Sequence, residues 1–165
     1  MSKLTIAKLD RYDLINNPMG KKPSFTIWFS GCHFHCKGCQ NRALWDREVG
    51  VEFSANTLFG IINKECIKLN IQDVVLLGGE PLDQFTNPFC DLLALLYRGG
   101  YKIWLYTGYE FEDIHPAIKQ YLYTVKCGRY DEDKLSDESF PITTNQRVFR
   151  NAGGWKQINI KEDMQ

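Results

Sequence analysis

Three cysteines lie within eight residues of one another, and they constrain the local structure of this chain more than any other feature. Cys32, Cys36 and Cys39 follow the pattern C-x3-C-x2-C. A tight loop with this spacing can point three thiolates at one centre. A structural zinc site and a closed iron–sulfur cubane each need four protein ligands. A site with three thiolates therefore leaves one metal position open for another ligand.

The residues between and around the cysteines allow three kinds of site. His33 or His35 could complete a zinc site, but structural zinc sites usually take a second ligand pair from a distant segment, and the sequence has no such pair. Both histidines also lie between Cys32 and Cys36, where reaching the same metal is sterically awkward. Cys36 and Cys39 alone form a C-x-x-C redox motif, which would leave the third cysteine without a purpose. A [4Fe–4S] cluster with one open iron uses all three thiolates.

Length and charge narrow the class of protein. The 165 residues predict a single domain, residues 1–165, with a substantial core. Lys plus Arg and Asp plus Glu both number 20, so no basic surplus points to nucleic acid. We find no apolar stretch of membrane-spanning length and no signal-peptide core, and we expect a cytoplasmic protein with no membrane partner. In that compartment clustered cysteines favour metal or redox chemistry. Cys66 and Cys90 are predicted to be buried free thiols, and Cys127 has no assigned role.

The hydrophobic pattern predicts strands that alternate with helices. The predicted strands cover residues 25–29, 73–77, 101–106 and 123–126, and a terminal hairpin covers 147–150 and 156–160. The predicted helices cover 58–69, the segment from an Asn87 cap to Gly99, and a weaker segment at 110–121 that Pro116 breaks or kinks. Residues 131–140 are predicted to be a charged surface loop. This order indicates an α/β fold with a mostly parallel sheet, which binds ligands at the carboxyl ends of its strands.

Four unusual segments follow predicted strands, and the parallel arrangement would bring them to one rim. They are the cysteine loop (residues 30–39), the Gly-Gly-Glu-Pro turn (78–81), and the segments 107–109 and 127–129. Glycines let a backbone approach a ligand closely, and carbonyl groups with a carboxylate suit an ammonium group. The alternative for the Gly-Gly-Glu-Pro turn is a simple strand-ending turn with a solvated Glu80.

The cysteine loop and the Gly-Gly-Glu-Pro turn resemble the corresponding motifs of the radical S-adenosylmethionine superfamily. Four further segments resemble one family within it, the anaerobic (class III) ribonucleoside-triphosphate reductase activating proteins. These segments are 39–46 (Cys-x-Asn-x-x-x-Trp), 104–109 (Trp-x-x-Thr-Gly-Tyr), 126–130 (Lys-x-Gly-x-Tyr) and 143–147 (Thr-Thr-Asn-Gln-Arg). The resemblance runs from about Tyr12 to Arg150. The chain departs from it at Gln40, where many members have Tyr, at Cys127, where some have Asp, and at 16–20, which match only loosely.

The resemblance implies a fold and a mechanism. The fold is an open or partial (β/α) barrel of the radical S-adenosylmethionine type. The catalytic cluster ligands would be Cys32, Cys36 and Cys39. The residues in contact with S-adenosylmethionine would be Gly38, Gln40, Asn41, Gly78, Gly79, Glu80 and Thr107. The amino and carboxylate groups of that cofactor would chelate the open iron, and one electron from the cluster would release a 5′-deoxyadenosyl radical.

The resemblance also implies protein partners. The radical would take a Cα hydrogen from a glycine near the C-terminus of the large subunit of anaerobic ribonucleotide reductase, and an electron donor such as a flavodoxin would reduce the cluster. The candidate partner surface comprises Tyr109, Arg129, Tyr130 and residues 143–147, whereas Trp28 and Trp104 are predicted to be core. Four alternatives stay open: a pyruvate formate-lyase type activase, a radical enzyme for a small molecule, a non-enzymatic zinc module and a thiol–disulfide oxidoreductase.

Overall fold

A computed structural model describes residues 2–17, 22–138 and 140–163 of the chain. Eight strands and four α-helices lie in these residues. The strands are β1 (Leu4–Asp13), β2 (Ser24–Phe29), β3 (Val51–Phe53), β4 (Asp73–Gly78), β5 (Lys102–Tyr106), β6 (Thr124–Cys127), β7 (Arg147–Asn151) and β8 (Trp155–Ile158). The helices are α1 (Ala55–Leu69), α2 (Asn87–Arg98), α3 (Pro116–Lys119) and α4 (Ile160–Asp163). None of these helices is long and apolar enough to cross a membrane.

The strands form one open sheet in the order β3-β1-β2-β4-β5-β6-β7-β8. The four central strands, β2, β4, β5 and β6, pair in parallel, and helical connections link them. The outer strands β1, β3, β7 and β8 pair antiparallel. The predicted open α/β architecture is confirmed, and its parallel part is the centre of the sheet. The carboxyl ends of the four parallel strands therefore meet at one edge, where ligands are expected to bind.

The two long helices follow directly from the sequence. The Ser54 hydroxyl accepts a hydrogen bond from the Thr57 backbone N–H at 3.1 Å, which caps the start of α1. Asn70 ends the helix in the left-handed conformation. Leu58, Ile62 and Cys66 recur every four residues and form the buried stripe of α1. In α2 the buried stripe consists of Phe89, Leu92, Leu93 and Leu96. Both helices bury these stripes against one face of the sheet.

The two faces of the sheet have different roles because side chains alternate along each strand. Residues such as Ile27, Leu76 and Val125 point to the helices and form the main core. The opposite face carries a smaller cluster built from Val75, Leu77 and Trp104, against which the partly buried Trp28, Tyr106 and Tyr123 pack. Trp28, Leu77 and Tyr106 of this second face line the candidate site.

Several local predictions were wrong, each for a physical reason. The helix predicted at 110–121 is a 3-10 turn at Phe111–Asp113 followed by the short α3. Pro116 begins α3 rather than breaking a helix, because its fixed φ suits a first turn. Strands β1 and β3 were not predicted, since polar residues interrupt the apolar pattern of β1 and β3 has only three residues.

The remaining differences concern single residues and one loop. Thr86, not Asn87, occupies the cap position of α2. Cys66 and Cys127 are buried, but Cys90 is only partly buried. The loop at 131–140 contains a 3-10 turn, and its Phe140 is 9% exposed, so the loop is not simply a solvated segment. Residues 18–20 of the loosely matched stretch at 16–20 lie outside the described residues.

Candidate functional site

The predicted convergence of strand ends is observed as a cavity of about 380 Å³. The cysteine loop, the Gly-Gly-Glu-Pro turn and the ends of β5 and β6 all contribute to its wall. Nine of the ten predicted site residues line it: Cys32, Cys36, Cys39, Gln40, Asn41, Gly78, Gly79, Glu80 and Thr107. The tenth, Gly38, lies outside the wall.

The backbone of the cysteine loop folds back on itself directly after β2. The N–H of Gly31 donates to the Leu44 carbonyl at 2.8 Å, and the N–H of Cys39 donates to the Cys36 carbonyl at 3.1 Å. Gly38 adopts a φ of +74°, and a Cβ there would lie 2.0 Å from a carboxylate oxygen of Glu132. The structure therefore gives Gly38 a role in the turn and in packing rather than a place on the cavity wall.

Each of the three thiols accepts a hydrogen bond from a backbone N–H. Burial raises the pKa of Cys32, and the N–H groups of Phe34 and His35 oppose that shift. Burial likewise raises the pKa of Cys36, and the N–H of Tyr130 opposes it. The Asn41 N–H donates to the Cys39 sulfur at 3.4 Å. Such donors stabilise thiolates and adjust the potential of an iron–sulfur cluster.

The three sulfurs share a cavity wall without converging on a single point. Among the described residues, no group of three or more His, Cys, Asp or Glu side chains is placed to hold one metal ion. A cubane cluster needs a different arrangement, because each cysteine binds a separate iron.

The glycines of the Gly-Gly-Glu-Pro turn are required by backbone packing. A Cβ on Gly78, whose φ is +123°, would lie 2.5 Å from backbone atoms of Phe29. A Cβ on Gly79 would lie 2.3 Å from the carbonyl oxygen of Gly31. Two backbone hydrogen bonds of 2.8 Å, from Gly79 to Phe29 and from Glu80 to Gly31, join the turn to the end of β2 and the cysteine loop. Gly78 thus permits a close approach to β2, and Gly79 permits a close approach to the cysteine loop.

Glu80 is buried and fully engaged, so the alternative of a solvated carboxylate is wrong. Its side chain is 1% exposed. One carboxylate oxygen accepts from the Thr107 hydroxyl at 2.7 Å and from the Leu82 N–H at 3.0 Å, and the other accepts from the Gly108 N–H at 2.7 Å. Burial raises the pKa of Glu80 to about 7, although these donors act against the shift. Glu80 thus ties the turn after β4 to the end of β5.

Asp83 makes a second connection between the same loops. Its carboxylate accepts a hydrogen bond from the His33 backbone N–H at 2.9 Å and lies 2.7 Å from the Nδ1 of the same residue. The Tyr109 hydroxyl donates to Asp83 at 3.2 Å. Burial raises the pKa of Tyr109 to about 12, and the Asp83 charge adds to the effect. The cysteine loop, the turn after β4 and the end of β5 are therefore held together by two carboxylates, Glu80 and Asp83.

The Thr-Thr-Asn-Gln-Arg segment holds the loop that follows β6. Gln146 is 8% exposed and donates to the Gly128 carbonyl at 3.0 Å. Asn145 donates to the Arg129 carbonyl at 2.9 Å. Arg147 forms ion pairs with Glu110 and Glu112. Thr143 is buried, which removes it from the predicted partner surface.

Several cavity residues were not predicted. Trp28 was assigned to the core, but it is only partly buried and lines the cavity with Tyr106 and Lys126. These three side chains occupy strand positions on the face away from the helices, close to the strand ends. The period of two along each strand was the signal that could have identified them. Ile15 and Phe140 also line the cavity, and no local pattern indicated that.

Comparison with known proteins identifies relatives of this chain. A family model described as a 4Fe-4S single cluster domain matches residues 19–149. The anaerobic ribonucleoside-triphosphate reductase-activating protein of Enterobacteria phage T4 is 30% identical over 149 residues, which cover 87% of this chain and 93% of the phage protein. The chain belongs to this family of activating proteins. The family member from Escherichia coli (strain K12) is 30% identical over 136 residues, 77% of this chain and 84% of that protein.

Family membership decides between two of the sequence-based interpretations. The cluster named in the family description supports an iron–sulfur protein rather than a zinc module. The fold is similar to that in the crystal structure of QueE from Escherichia coli, with a TM-score of 0.50, 17% identity and coverage of 64% of this chain and 52% of that chain. At this identity the likeness concerns the fold alone.

Proposed function

We propose that this chain is a radical S-adenosylmethionine activase that generates a glycyl radical on the large subunit of an anaerobic ribonucleotide reductase. The single observation that carries the proposal is the cavity shared by the three cysteines and the Gly-Gly-Glu-Pro turn. The similarity to activating proteins of anaerobic ribonucleoside-triphosphate reductase favours the reductase over a pyruvate formate-lyase type partner.

The residues present fit the two cofactors that this function requires. Cys32, Cys36 and Cys39 would ligate three irons of a [4Fe–4S] cluster, and the remaining cavity would accept S-adenosylmethionine beside Gly79 and Glu80. When bound, these two groups supply hydrogen-atom abstraction by a 5′-deoxyadenosyl radical. The backbone N–H groups that reach the sulfurs favour the thiolate form that cluster ligation needs.

The chain's own residues position the cofactors and restrict water. The carboxylate of Glu80 fixes Thr107 and Gly108 relative to the Gly-Gly-Glu-Pro turn. Trp28 and Leu77 form an apolar part of the wall, which limits water beside a reactive radical. These contacts support a preorganised site that needs little rearrangement when it is filled.

A protein substrate is part of the same proposal. Glycine has no side chain, so its Cα can enter a narrow opening that other residues could not. Ile15 lines the cavity and is 84% exposed, so an apolar contact is available to an entering polypeptide. The C-terminal glycine segment of the reductase and an electron donor such as a flavodoxin are the proposed partners.

The test is an anaerobic reconstitution with iron and sulfide. We expect about four irons and four sulfides per chain, and a glycyl radical signal in electron paramagnetic resonance when reduced protein, S-adenosylmethionine and reductase are combined. Cys36→Ala should lose cluster and radical, whereas Cys90→Ala, a change on α2 outside the cavity wall, should keep both. A colourless wild-type protein with stoichiometric zinc, or a radical formed by Cys36→Ala, would contradict the proposal.

A further inference from the structure

Lys126 is a charged residue in the cavity wall to which the proposed function assigns no role. It lies on β6, faces away from the helix-packed core and lines the cavity. Its neighbours on the strand, Val125 and Cys127, point the other way and are fully buried. The period of two along the strand thus places the Lys126 ammonium group on the cavity side.

The position of the Lys126 side chain is set by its neighbours. Lys126 pairs with Tyr106 in the parallel register of β5 and β6, and its Nζ lies 5.2 Å from the centre of the Tyr106 ring. The Tyr106 hydroxyl donates to the Asn16 carbonyl, which holds that ring in place. The Lys126 carbonyl accepts from the Thr107 N–H at 2.9 Å. The ammonium group therefore sits on a fixed platform at the ends of the strands.

No carboxylate of the described residues forms an ion pair with this ammonium group. Among the described residues that line the cavity, Lys126 is the one basic side chain and Glu80 the one acidic side chain. Both Glu80 oxygens already accept hydrogen bonds from Leu82, Thr107 and Gly108. None of the ion pairs between described residues includes Lys126.

An ammonium group without an ion-pair partner therefore favours an incoming anion. Burial lowers the pKa of Lys126 to about 8, and the Glu80 charge opposes that shift. Lys126 is partly buried, and an ammonium group that loses part of its hydration without a partner is unfavourable, so a carboxylate brought in by a ligand would satisfy it. The cation–π contact with Tyr106 replaces only part of the lost hydration.

We propose that Lys126 binds a carboxylate of the molecule that fills the cavity. The inference rests on the proposed function, under which two molecules could bring that group. One is S-adenosylmethionine, through its methionine carboxylate, and the other is the polypeptide substrate, through an acidic side chain or its C-terminus.

Two binding measurements on the reconstituted holoprotein separate these sources. The first compares S-adenosylmethionine with 5′-methylthioadenosine, which lacks the amino-acid portion, by anaerobic isothermal titration. If the cofactor supplies the carboxylate, Lys126→Met should weaken S-adenosylmethionine binding roughly 10- to 100-fold and leave 5′-methylthioadenosine unchanged. If the substrate supplies the carboxylate, Lys126→Met should bind S-adenosylmethionine as tightly as the wild type does. Its affinity for a synthetic peptide that contains the reductase glycine segment should then fall by a similar factor.

Matched variants keep the result interpretable. Lys102→Met is the control, because Lys102 also lies over a tyrosine ring, at 5.0 Å from that of Tyr123, but is exposed and outside the cavity wall. Lys126→Arg should retain most of the affinity, and Lys126→Gln replaces Lys126→Met if the latter does not fold. If a folded, cluster-loaded Lys126 variant keeps its affinity for both cofactor and peptide, this inference is overturned and the proposed function is not. A wild-type protein that binds neither would overturn the proposed function as well.

Discussion

Replacing Gly79 by alanine should separate the Gly-Gly-Glu-Pro turn from the cysteine loop. A Cβ at this position would lie 2.3 Å from the Gly31 carbonyl oxygen and 2.9 Å from the Leu44 carbonyl oxygen. Both are backbone atoms, which cannot rotate away as a flexible side chain could. An ordinary contact is at least 3.4 Å long, so the Cβ and the Gly31 carbonyl oxygen would have to move apart by about 1 Å from 2.3 Å.

A movement of this size has a cost that can be worked out from the contacts. It would weaken the hydrogen bonds from Gly79 to Phe29 and from Glu80 to Gly31, both 2.8 Å long. Each is worth about 1 kcal/mol net, and crowding in a packed region costs roughly 1–3 kcal/mol. We therefore expect Gly79→Ala to lower the free energy of unfolding of the cluster-free protein by about 3 kcal/mol.

The assay is urea unfolding of the reduced, cluster-free protein, followed by circular dichroism. Gly60→Ala is the matched control, since Gly60 lies inside α1 and a Cβ there would meet nothing within 4 Å. That change should stabilise the protein by roughly 0.5–1 kcal/mol through helix propensity. Unchanged unfolding of Gly79→Ala, combined with lost affinity for S-adenosylmethionine, would refute the packing argument and show that Gly79 makes room for the ligand instead.

Two further predictions concern the carboxylates that join the loops. The pKa of Glu80 is raised from its ordinary 4.5 to about 7, so the folded state binds this proton more tightly and loses up to about 3 kcal/mol of stability as pH rises through that interval. Glu80→Gln should flatten this dependence between pH 4.5 and about pH 7, and a variant with the wild-type slope in urea unfolding would contradict the assignment. Asp83→Ala removes the hydrogen-bond acceptor for His33 and Tyr109, and it should speed the release of iron from the reconstituted protein to a chelator several-fold. Asp91→Ala, a change at an exposed residue, is the control and should leave that rate unchanged. Equal rates in the two variants would rule out a role for Asp83 in holding the cysteine loop.

Much of the fold could be predicted because its signals are local. Continuous apolar runs identified β2, β4 and β5, and the four-residue spacing from Leu58 to Cys66 identified α1. The rule that parallel strands share a carboxyl edge then brought the right loops together. Strand β1 could not be identified in this way, since only four of its ten residues are buried and the others include charged side chains.

The candidate site was predictable in its members more than in their roles. Gly79 is predicted to contact the cofactor, and the structure adds that its nearest neighbour within the protein is the Gly31 carbonyl. Glu80 is predicted to help hold an ammonium group, and the structure adds that its oxygens accept hydrogen bonds from the end of β5. In both cases the partner lies far along the chain, and a motif read along the sequence does not contain that partner.

By itself the sequence determined the candidate cluster ligands, because the spacing of Cys32, Cys36 and Cys39 is a local property of one loop. It also determined which loops meet, since strand polarity follows from the alternation of strands and helices. Only the tertiary structure decided what closes the cavity and what its charge is. Lys126 on β6 and Ile15, which follows β1, reach the same wall from distant parts of the chain. Whether a partly buried ammonium group has a partner depends on contacts across the sheet, which no spacing along the chain records.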